Sequence, residues 1–423
     1  MKIFGETANE LGKKSGFIKR ERKINGSNFA KAIVFGFCGN PKQSYSEMSQ
    51  NYIAAGVEIS NQGIEQRMTK EAADFLYELL NEVIQESVCG EERNIPLLQR
   101  FNGVYLRDSS VVSLPKEIRS VWPGTGGTAG ETASVKLQVS INYNTGELFG
   151  PVLHPGRKHD QESPFHTKEH TKGALRLADL GFFDLKQMDI DNENGIYWLN
   201  RLKTGTVIYD NKGNRIDLLS WLKKLPKNKT ETDIFLGANH KIPCRLFVCR
   251  VSKDVVKQRR KRLKEEERKR QRKLSAQSYE LIHWTLLVTN VPQNLLSFQE
   301  AQNLLRLRWQ IELLFKLWKS HAFIDEWHTQ NPWRILCELY AKLIGVIIFH
   351  WIQAIGIWNN PYHSIFKADK VIRKFAIFFI FSINNKMFLN SMLSSICDCF
   401  KCGCNLNSRS AKPNTCQLLL FDP

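Results

Sequence analysis

Arg308, Glu312 and Lys319 place one acid and two bases in an apolar segment of the chain, NLLRLRWQIELLFKLWKS. At about 100° per residue, positions four and eleven apart return to nearly the same side of a helix. We therefore predict one helix that carries the three charges along one stripe. The carboxylate could hold a divalent metal against a phosphodiester while the cations bind neighbouring phosphates. The alternative is an amphipathic helix whose charges form a solvated face.

Two aspartates on predicted strands are candidate partners for Glu312. The segment GVYLRD places Val104, Leu106 and Asp108 on one face of a strand, and ALRLAD ends in Asp179. Acidic residues at strand ends are well placed for metal binding, although each alone is more often a cap or a turn residue. Three such carboxylates could hold two magnesium ions for an in-line phosphoryl transfer.

The charge balance indicates a polyanionic partner. The 423 residues include 60 Lys and Arg against 42 Asp and Glu, a net charge of +18. Nucleic acid is the first candidate and an anionic membrane surface the second. Half of this net positive charge lies in residues 250–273, which contain 13 Lys or Arg against 4 Asp or Glu. We predict DNA contacts there by Arg259, Arg260, Lys261 and Arg262, with a solvated charged helix, or a purely structural nucleic-acid binder, as alternatives.

The pattern of helices and strands divides the chain into five predicted regions. Residues 1–100 are a helical DNA-binding region, with the strongest helix over 71–88 and two short helices around Gly56. These two form either a helix-turn-helix or a plain helical hairpin. Residues 101–185 and 281–330 form the two parts of a catalytic core. Residues 186–280 form an inserted, mainly β subdomain with the basic run, and 331–423 form a helical C-terminal region with a basic tail.

The chain is predicted to stay in the cytoplasm, without a membrane partner. Its N-terminus lacks the apolar core of a signal peptide, and the apolar run 343–352 is short enough to be a core helix. Ten cysteines without an export signal indicate reduced thiols rather than disulfides. Four of them crowd together, and a zinc site is the alternative to exposed thiols there: Cys397, Cys399, Cys402 and Cys404.

Two further patterns suggest other chemistry. His166, Glu169 and His170 spell His-x2-Glu-His, a zinc pattern of metallopeptidases, but no third ligand is evident. Four tryptophans lie near the charged segment in sequence and could stack on an unpaired base, although core packing is the commoner role: Trp284, Trp309, Trp318 and Trp327.

The charged segment resembles the signature of bacterial cut-and-paste transposases of the insertion-sequence-four family, in the DDE class. That signature is Tyr-x2-Arg-x3-Glu-x6-Lys, and Arg308, Glu312 and Lys319 stand at its spacings. Leu305 stands at the tyrosine position, where the family's tyrosine is thought to position DNA near the cleaved end. YLRDSS, LADLGFF, LLVTNVP, SGFIKRERK and ISNQGIEQRM extend the resemblance over most of the chain.

The resemblance implies an α/β fold with a ribonuclease-H-like catalytic core, a mixed sheet flanked by helices. A largely β insertion would interrupt the core, and helical regions would stand at both ends. Asp108, Asp179 and Glu312 would be the catalytic residues and would bind two Mg²⁺ ions, for which Mn²⁺ can substitute. Arg308 and Lys319 would contact phosphates at the transposon end.

The resemblance also implies a reaction and partners. The reaction is strand nicking, attack by the freed 3′-hydroxyl and integration into target DNA, with a hairpin intermediate in characterised members. The partners are double-stranded DNA, both the inverted terminal repeats and the target, and a second copy of the chain in the DNA complex. The protein would be associated with the nucleoid when bound to DNA. The alternative is a catalytically impaired or recruited, transposase-derived DNA-binding protein.

Overall fold

The chain divides into two compact units in a computed structural model that describes residues 2–20, 23–125, 132–162, 171–225, 228–407 and 415–420. The first unit comprises Met1–Asn94, Asp108–Lys158 and Trp309–Gln417. The second comprises Ile95–Arg107, His159–Arg308 and Leu418–Pro423. Each unit is therefore assembled from three separate stretches of chain, and the bounds of the five predicted regions remain predictions.

Helices and strands alternate along much of the described chain, in agreement with the predicted mixed α/β class. The helices are α1 Glu6–Lys14, α2 Gly26–Gly39, α3 Tyr45–Ala54, α4 Asn61–Glu65, α5 Lys70–Gln85, α6 Pro96–Gln99, α7 Leu185–Glu193, α8 Leu218–Lys223, α9 Lys253–Arg270, α10 Ala276–Leu281, α11 Phe298–Leu307, α12 Trp309–His321, α13 Pro332–Ile357, α14 Ile365–Lys374, α15 Ala376–Ser382, α16 Lys386–Gly403 and α17 Thr415–Leu420. The strands are β1 Val104–Leu114, β2 Ala133–Asn142, β3 Leu148–Pro155, β4 Leu175–Ala178, β5 Tyr197–Arg201, β6 Ile208–Tyr209, β7 Lys229–Leu236, β8 Ile242–Arg250 and β9 Trp284–Thr289.

The N-terminal helices of the first unit follow the sequence prediction. Helix α5 begins after Thr69, whose side chain accepts a hydrogen bond from the Ala72 amide, and its apolar face is fully buried. Two short helices, α3 and α4, flank Gly56 as predicted, and this glycine has a φ of +79° that favours a residue without a Cβ. The choice between helix-turn-helix and helical hairpin remains a prediction.

Helix α13 is the central helix of the first unit and packs against α2 and α5. It is long and apolar enough to cross a membrane, but 94% of its most apolar window is buried inside the structure. Such burial is typical of a core helix, since a helix in lipid exposes its apolar side chains. The prediction of a core helix over 343–352 is therefore confirmed.

Strand β2 of the first unit is buried along both faces, from Ala133 to Asn142. It pairs with β3 in antiparallel orientation and lies beside β1. One face of β2 is apolar, and the other carries buried polar residues that include Gln138 and Ser140. Within the described residues, the Gln138 amide atoms and the Ser140 hydroxyl have no hydrogen-bond partner.

The sheet of the second unit has the order β1-β4-β5-β9-β8-β7-β6. Strand β1 contributes its first residues to this sheet and pairs with β4 in parallel, as β4 does with β5. The remaining neighbours pair in antiparallel orientation. A hydrophobic core that includes Trp198, Leu236 and Leu246 packs against these strands. The alternating patterns of TGTVIYD, PCRLFVCRVS and HWTLLVTNVP predict three strands, and these segments contain β6, most of β8 and β9.

The single helix predicted for the charged segment is wrong at one position. Helix α11 ends at Leu307 and α12 begins at Trp309, so Arg308 lies at a break between two helices. The apolar face continues through the break, because Leu304 and Ile311 on either side are both fully buried. The hydrophobic period alone could not reveal the break. It coincides with the point where the chain leaves the second unit and enters the first.

Candidate active site

Asp108 lies in β1 at the start of the strand's first-unit portion. The four residues before it are buried, and Asp108 itself is half-buried. Its Oδ1 atom accepts a hydrogen bond from the Ser109 amide at 2.8 Å.

Asp179 directly follows β4 in the second unit and precedes a 3₁₀ turn, Leu180–Phe182. Its side chain makes no capping hydrogen bond and is 48% exposed. The Arg308 Nε atom lies 3.8 Å from Asp179 Oδ1, which is a long ion pair. The two residues predicted to bind metal and phosphate are therefore neighbours in this unit.

Asp108 and Asp179 occupy corresponding sequence positions next to the register pairs of β1 and β4. Arg107 pairs with Ala178, the last residue of β4. Asp108 follows Arg107 within β1, which continues to Leu114, and Asp179 follows Ala178 just after β4 ends. Each acid is therefore the next residue in sequence after one member of the last register pair between these parallel strands.

Glu312 lies in the first turn of α12 in the first unit and is half-buried. Seven residues further along this helix, the Lys319 ammonium donates a hydrogen bond to the Val111 carbonyl at 3.1 Å. Val111 belongs to β1, three residues after Asp108. Lys319, predicted to bind phosphate, thus also ties the helix of Glu312 to the strand of Asp108 within this unit.

A buried ion pair lies next to the aspartate strands and was missed in the sequence. Arg176 of β4 contacts Asp191 of α7, and both side chains are almost fully buried. Gln187 donates a second hydrogen bond to Asp191 at 2.8 Å. Burial raises the pKa of Asp191, and the Arg176 guanidinium opposes that rise. The sequence contained a signal for this ion pair. Arg176 stands between apolar residues in a predicted strand, and a buried arginine in such a position needs an acidic partner.

Arg259 in α9 is half-buried and engaged with the protein itself. Its guanidinium donates to the carbonyls of Ile282 and Trp284 at 3.1 and 2.6 Å and to the Thr285 hydroxyl at 2.9 Å. Burial lowers the pKa of Arg259, and the nearby Arg201 lowers it further. The prediction that Arg259 contacts DNA is untested, but in the structure this residue anchors α9 to β9.

The four tryptophans singled out in the sequence have different environments. Trp318 is 2% exposed and belongs to the core, whereas Trp309 is 53% exposed. Trp284 and Trp327 are half-buried, and the Lys342 ammonium lies 5.4 Å from the Trp327 ring centre. Trp309, beside the helix break, is therefore the one of these four that presents most of its ring to solvent.

Neither alternative zinc site gains support from the structure. Three of the four clustered cysteines lie on α16, where Cys399 and Cys402 share a face and Cys397 lies on another. Across the described ranges, no three His, Cys, Asp or Glu side chains lie close enough together to hold a metal ion. The His166, Glu169 and His170 pattern lies outside the described residues.

Known proteins are similar in amino-acid sequence to most of this chain. A family model described as "Transposase DDE domain" matches residues 100–348. The transposase for insertion sequence element IS231B of Bacillus thuringiensis subsp. berliner is 28% identical over 360 residues, covering 80% of this chain and 75% of the relative. The IS231F transposase of subsp. israelensis is 27% identical, with 82% and 77% covered. The IS1151 transposase of Clostridium perfringens is 25% identical, with 80% and 76% covered.

Proposed function

Because the chain belongs to the family of transposases with a ribonuclease-H-like DDE domain, of the insertion-sequence-four type, we propose that it cuts and joins DNA at the ends of a mobile element. The proposed reaction is hydrolytic nicking, attack by the freed 3′-hydroxyl and integration into target DNA. The proposed substrate is double-stranded DNA with inverted terminal repeats, held by a homodimer in the bacterial cytoplasm.

Asp108, Asp179 and Glu312 are the residues proposed to hold two magnesium ions, with manganese as a substitute. The chemistry of the donor set suits this group, because hard divalent ions take carboxylate oxygens and often retain water. The three carboxylates do not form a ready-made metal cluster within the described residues, so the support comes from their chemical type and from the exposure of Asp179, which is half-exposed and makes a long ion pair with Arg308. When bound, the ions would activate the attacking oxygen and stabilise the leaving oxygen.

The chain's own cations position the DNA in this proposal. Arg308 offers a planar guanidinium to a phosphate and Lys319 offers an ammonium, and both bind phosphate through charge-assisted hydrogen bonds. These contacts would hold the scissile phosphate in place, which contributes to catalysis by fixing the reacting groups.

The observation that carries the proposal is the register of β1 and β4. It supports paired metal ligands because Asp108 and Asp179 each follow one of two residues that are partners in a parallel sheet, Arg107 and Ala178. Chance placement of two acids in a chain rarely gives this coincidence together with the spacing of Arg308, Glu312 and Lys319.

The test is cleavage of labelled DNA that carries the element's own terminal repeats, with Mg²⁺ or Mn²⁺. We expect Asp108→Asn, Asp179→Asn and Glu312→Gln each to lower the cleavage rate by about 10³-fold or more, since each removes a metal ligand. The matched control is Asp325→Asn, which removes an exposed acid four residues beyond the end of α12. Cleavage that persists in the three variants at the wild-type rate contradicts the proposal.

A second candidate function is DNA binding without catalysis. The residue at the signature's tyrosine position, Leu305, is a half-buried residue of α11 that offers no hydroxyl to DNA. Specific binding of terminal repeats by the wild-type chain, with no cleavage under either metal, would establish this second function instead. Leu305→Tyr would then be expected to restore end handling if only this residue is lacking.

A further inference from the structure

Six of the exposed cations of helix α9 lie on one side of the helix. Six exposed basic residues fall within an arc of about 100° when the helix is drawn at 3.6 residues per turn. We call them the basic stripe: Lys253, Lys257, Arg260, Lys261, Lys264 and Arg268. The acids of the helix lie outside this arc, and among the described residues none of the six has an ion-pair partner. The six cations are therefore available to solvent without a short ion pair to any described residue, although the Glu267 carboxylate interacts electrostatically with Lys264.

A second side of α9, centred on Arg259 and Leu263, is attached to the second unit. Besides the three hydrogen bonds of Arg259, Glu267 accepts from the Leu274 amide at 2.8 Å and from the Tyr279 hydroxyl at 2.9 Å. Val255 and Leu263, on the same side, are half-buried. The orientation of the helix about its own axis is thus fixed, and the stripe points to solvent.

The dimensions of the stripe match a nucleic-acid duplex. From the first to the last of its residues the helix rises about 22 Å, at 1.5 Å per residue. A duplex carries one phosphate charge per about 1.7 Å of axis, so this length of duplex carries about 13 phosphates, of which the stripe faces a part. An interfacial membrane helix needs an exposed apolar face beside its cations. No large hydrophobic residue of α9 is exposed in the part of the chain that the structure describes.

We propose that the basic stripe binds the backbone of duplex DNA independently of base sequence. The inference rests on the proposed function and specifies how that function holds DNA away from the cleaved phosphate. Of the four residues predicted in the basic run, Arg260 and Lys261 belong to the stripe. Arg259 anchors the helix and Arg262 lies on another side. Stripe side chains contact phosphates and leave sequence recognition to other parts of the chain.

The test compares two double variants of the full chain that remove the same charge. Lys257→Gln with Lys264→Gln removes two stripe cations, and Lys203→Gln with Lys269→Gln removes two exposed cations outside it. Glutamine keeps the helix propensity of lysine, so folding should be unchanged, and circular dichroism checks this. The probe is a duplex of random sequence, with binding measured over a range of salt concentrations.

The stripe variant should lose roughly 10- to 100-fold in affinity at about 0.1 M salt, and its slope of log affinity against log salt should fall by about 1.8. The control pair should change the slope by less than half as much. Equal effects of the two pairs, or no effect of either, overturn the inference. Loss of binding to phosphatidylserine vesicles, with DNA binding unchanged, assigns the stripe to membranes and also overturns it.

The outcomes separate this inference from the proposed function. If the wild-type chain cleaves terminal repeats and both double variants bind random duplex equally, only the stripe inference fails. If the stripe variant loses random-duplex binding while Asp108→Asn cleaves at the wild-type rate, the stripe inference holds and the proposed active site fails.

Discussion

Acidification is expected to destabilise the first unit through one buried histidine, His350. This residue of α13 is 2% exposed, and its Nε2 atom donates to the Gly146 carbonyl at 2.7 Å. Its Nδ1 atom has no hydrogen-bond partner within the described residues, so a proton added there would be a buried, unpaired charge. Burial lowers the pKa of His350 from 6.5 to about 4, and the hydrogen bond to Gly146 partly opposes this.

The magnitude follows from proton linkage. Between the two pKa values the unfolded chain binds more protons than the folded chain, so stability falls as the pH falls. With an unfolded pKa of 6.5 and a folded pKa of about 4, the loss between about pH 7.5 and about pH 5 is about 2 kcal/mol. Replacement by glutamine keeps an N–H donor and removes the titration, so His350→Gln should remove this part of the pH dependence.

The assay is hydrogen exchange of peptides from α13, read by mass spectrometry at both pH values, because it reports local opening in a chain with two units. The exchange rates are corrected for the intrinsic effect of pH. The control is His328→Gln, an exposed histidine that should retain the wild-type loss. A wild-type opening free energy that is the same at both pH values, or a loss that survives in His350→Gln, would refute the reasoning.

Three further changes test other parts of the structure. Asp191→Asn should lower the urea-unfolding free energy of the second unit by about 3 kcal/mol, since it leaves Arg176 buried without its acid; a change below about 1 kcal/mol would show that the pair is replaceable. Arg259→Gln should release α9 and speed tryptic cleavage within it several-fold, and an unchanged digest would refute the anchoring role. Serine at all four cysteines of 397–404 should leave the zinc content of purified protein unchanged, and loss of stoichiometric zinc would contradict this.

Helices and strands with a clear periodicity of apolar residues were predictable from the sequence. Helix α5 has six apolar residues at helical spacing and no competing strand signal, and it appears within a few residues of the predicted bounds. Strands β1, β8 and β9 were likewise recognisable, because their β-branched and apolar residues are bounded by turn residues. Where one physical cause dominates the local pattern, the sequence suffices.

Other features depend on tertiary context. The break at Arg308 could not be predicted, because Leu307 and Ile311 continue the apolar period while the chain changes unit. Nothing in the basic run distinguishes Arg259 from its neighbours, since its role depends on carbonyls that lie 23 or more residues away. The buried polar face of β2 is also hidden, because alternation normally indicates a solvated face.

The candidate site was predicted from spacing and resemblance. The structure adds local environments to Asp108, Asp179 and Glu312: a backbone hydrogen bond for the first, a long ion pair for the second and a first-turn position for the third. The hydrogen bond between Lys319 and Val111 could not be predicted, because the two residues are 208 positions apart in the sequence.

The hydrogen bond between Lys319 and Val111 affects the entropy of the proposed DNA binding. A lysine ammonium has three N–H donors, and Val111 occupies one of them, so two remain for a phosphate. A free lysine side chain loses up to about 2 kcal/mol of rotamer entropy when it is immobilised. The hydrogen bond to Val111 restricts the Lys319 side chain in the free protein, so part of that loss would fall on folding rather than on binding. Under the proposed function, a phosphate at this position would meet a partly ordered ammonium group, which favours its binding.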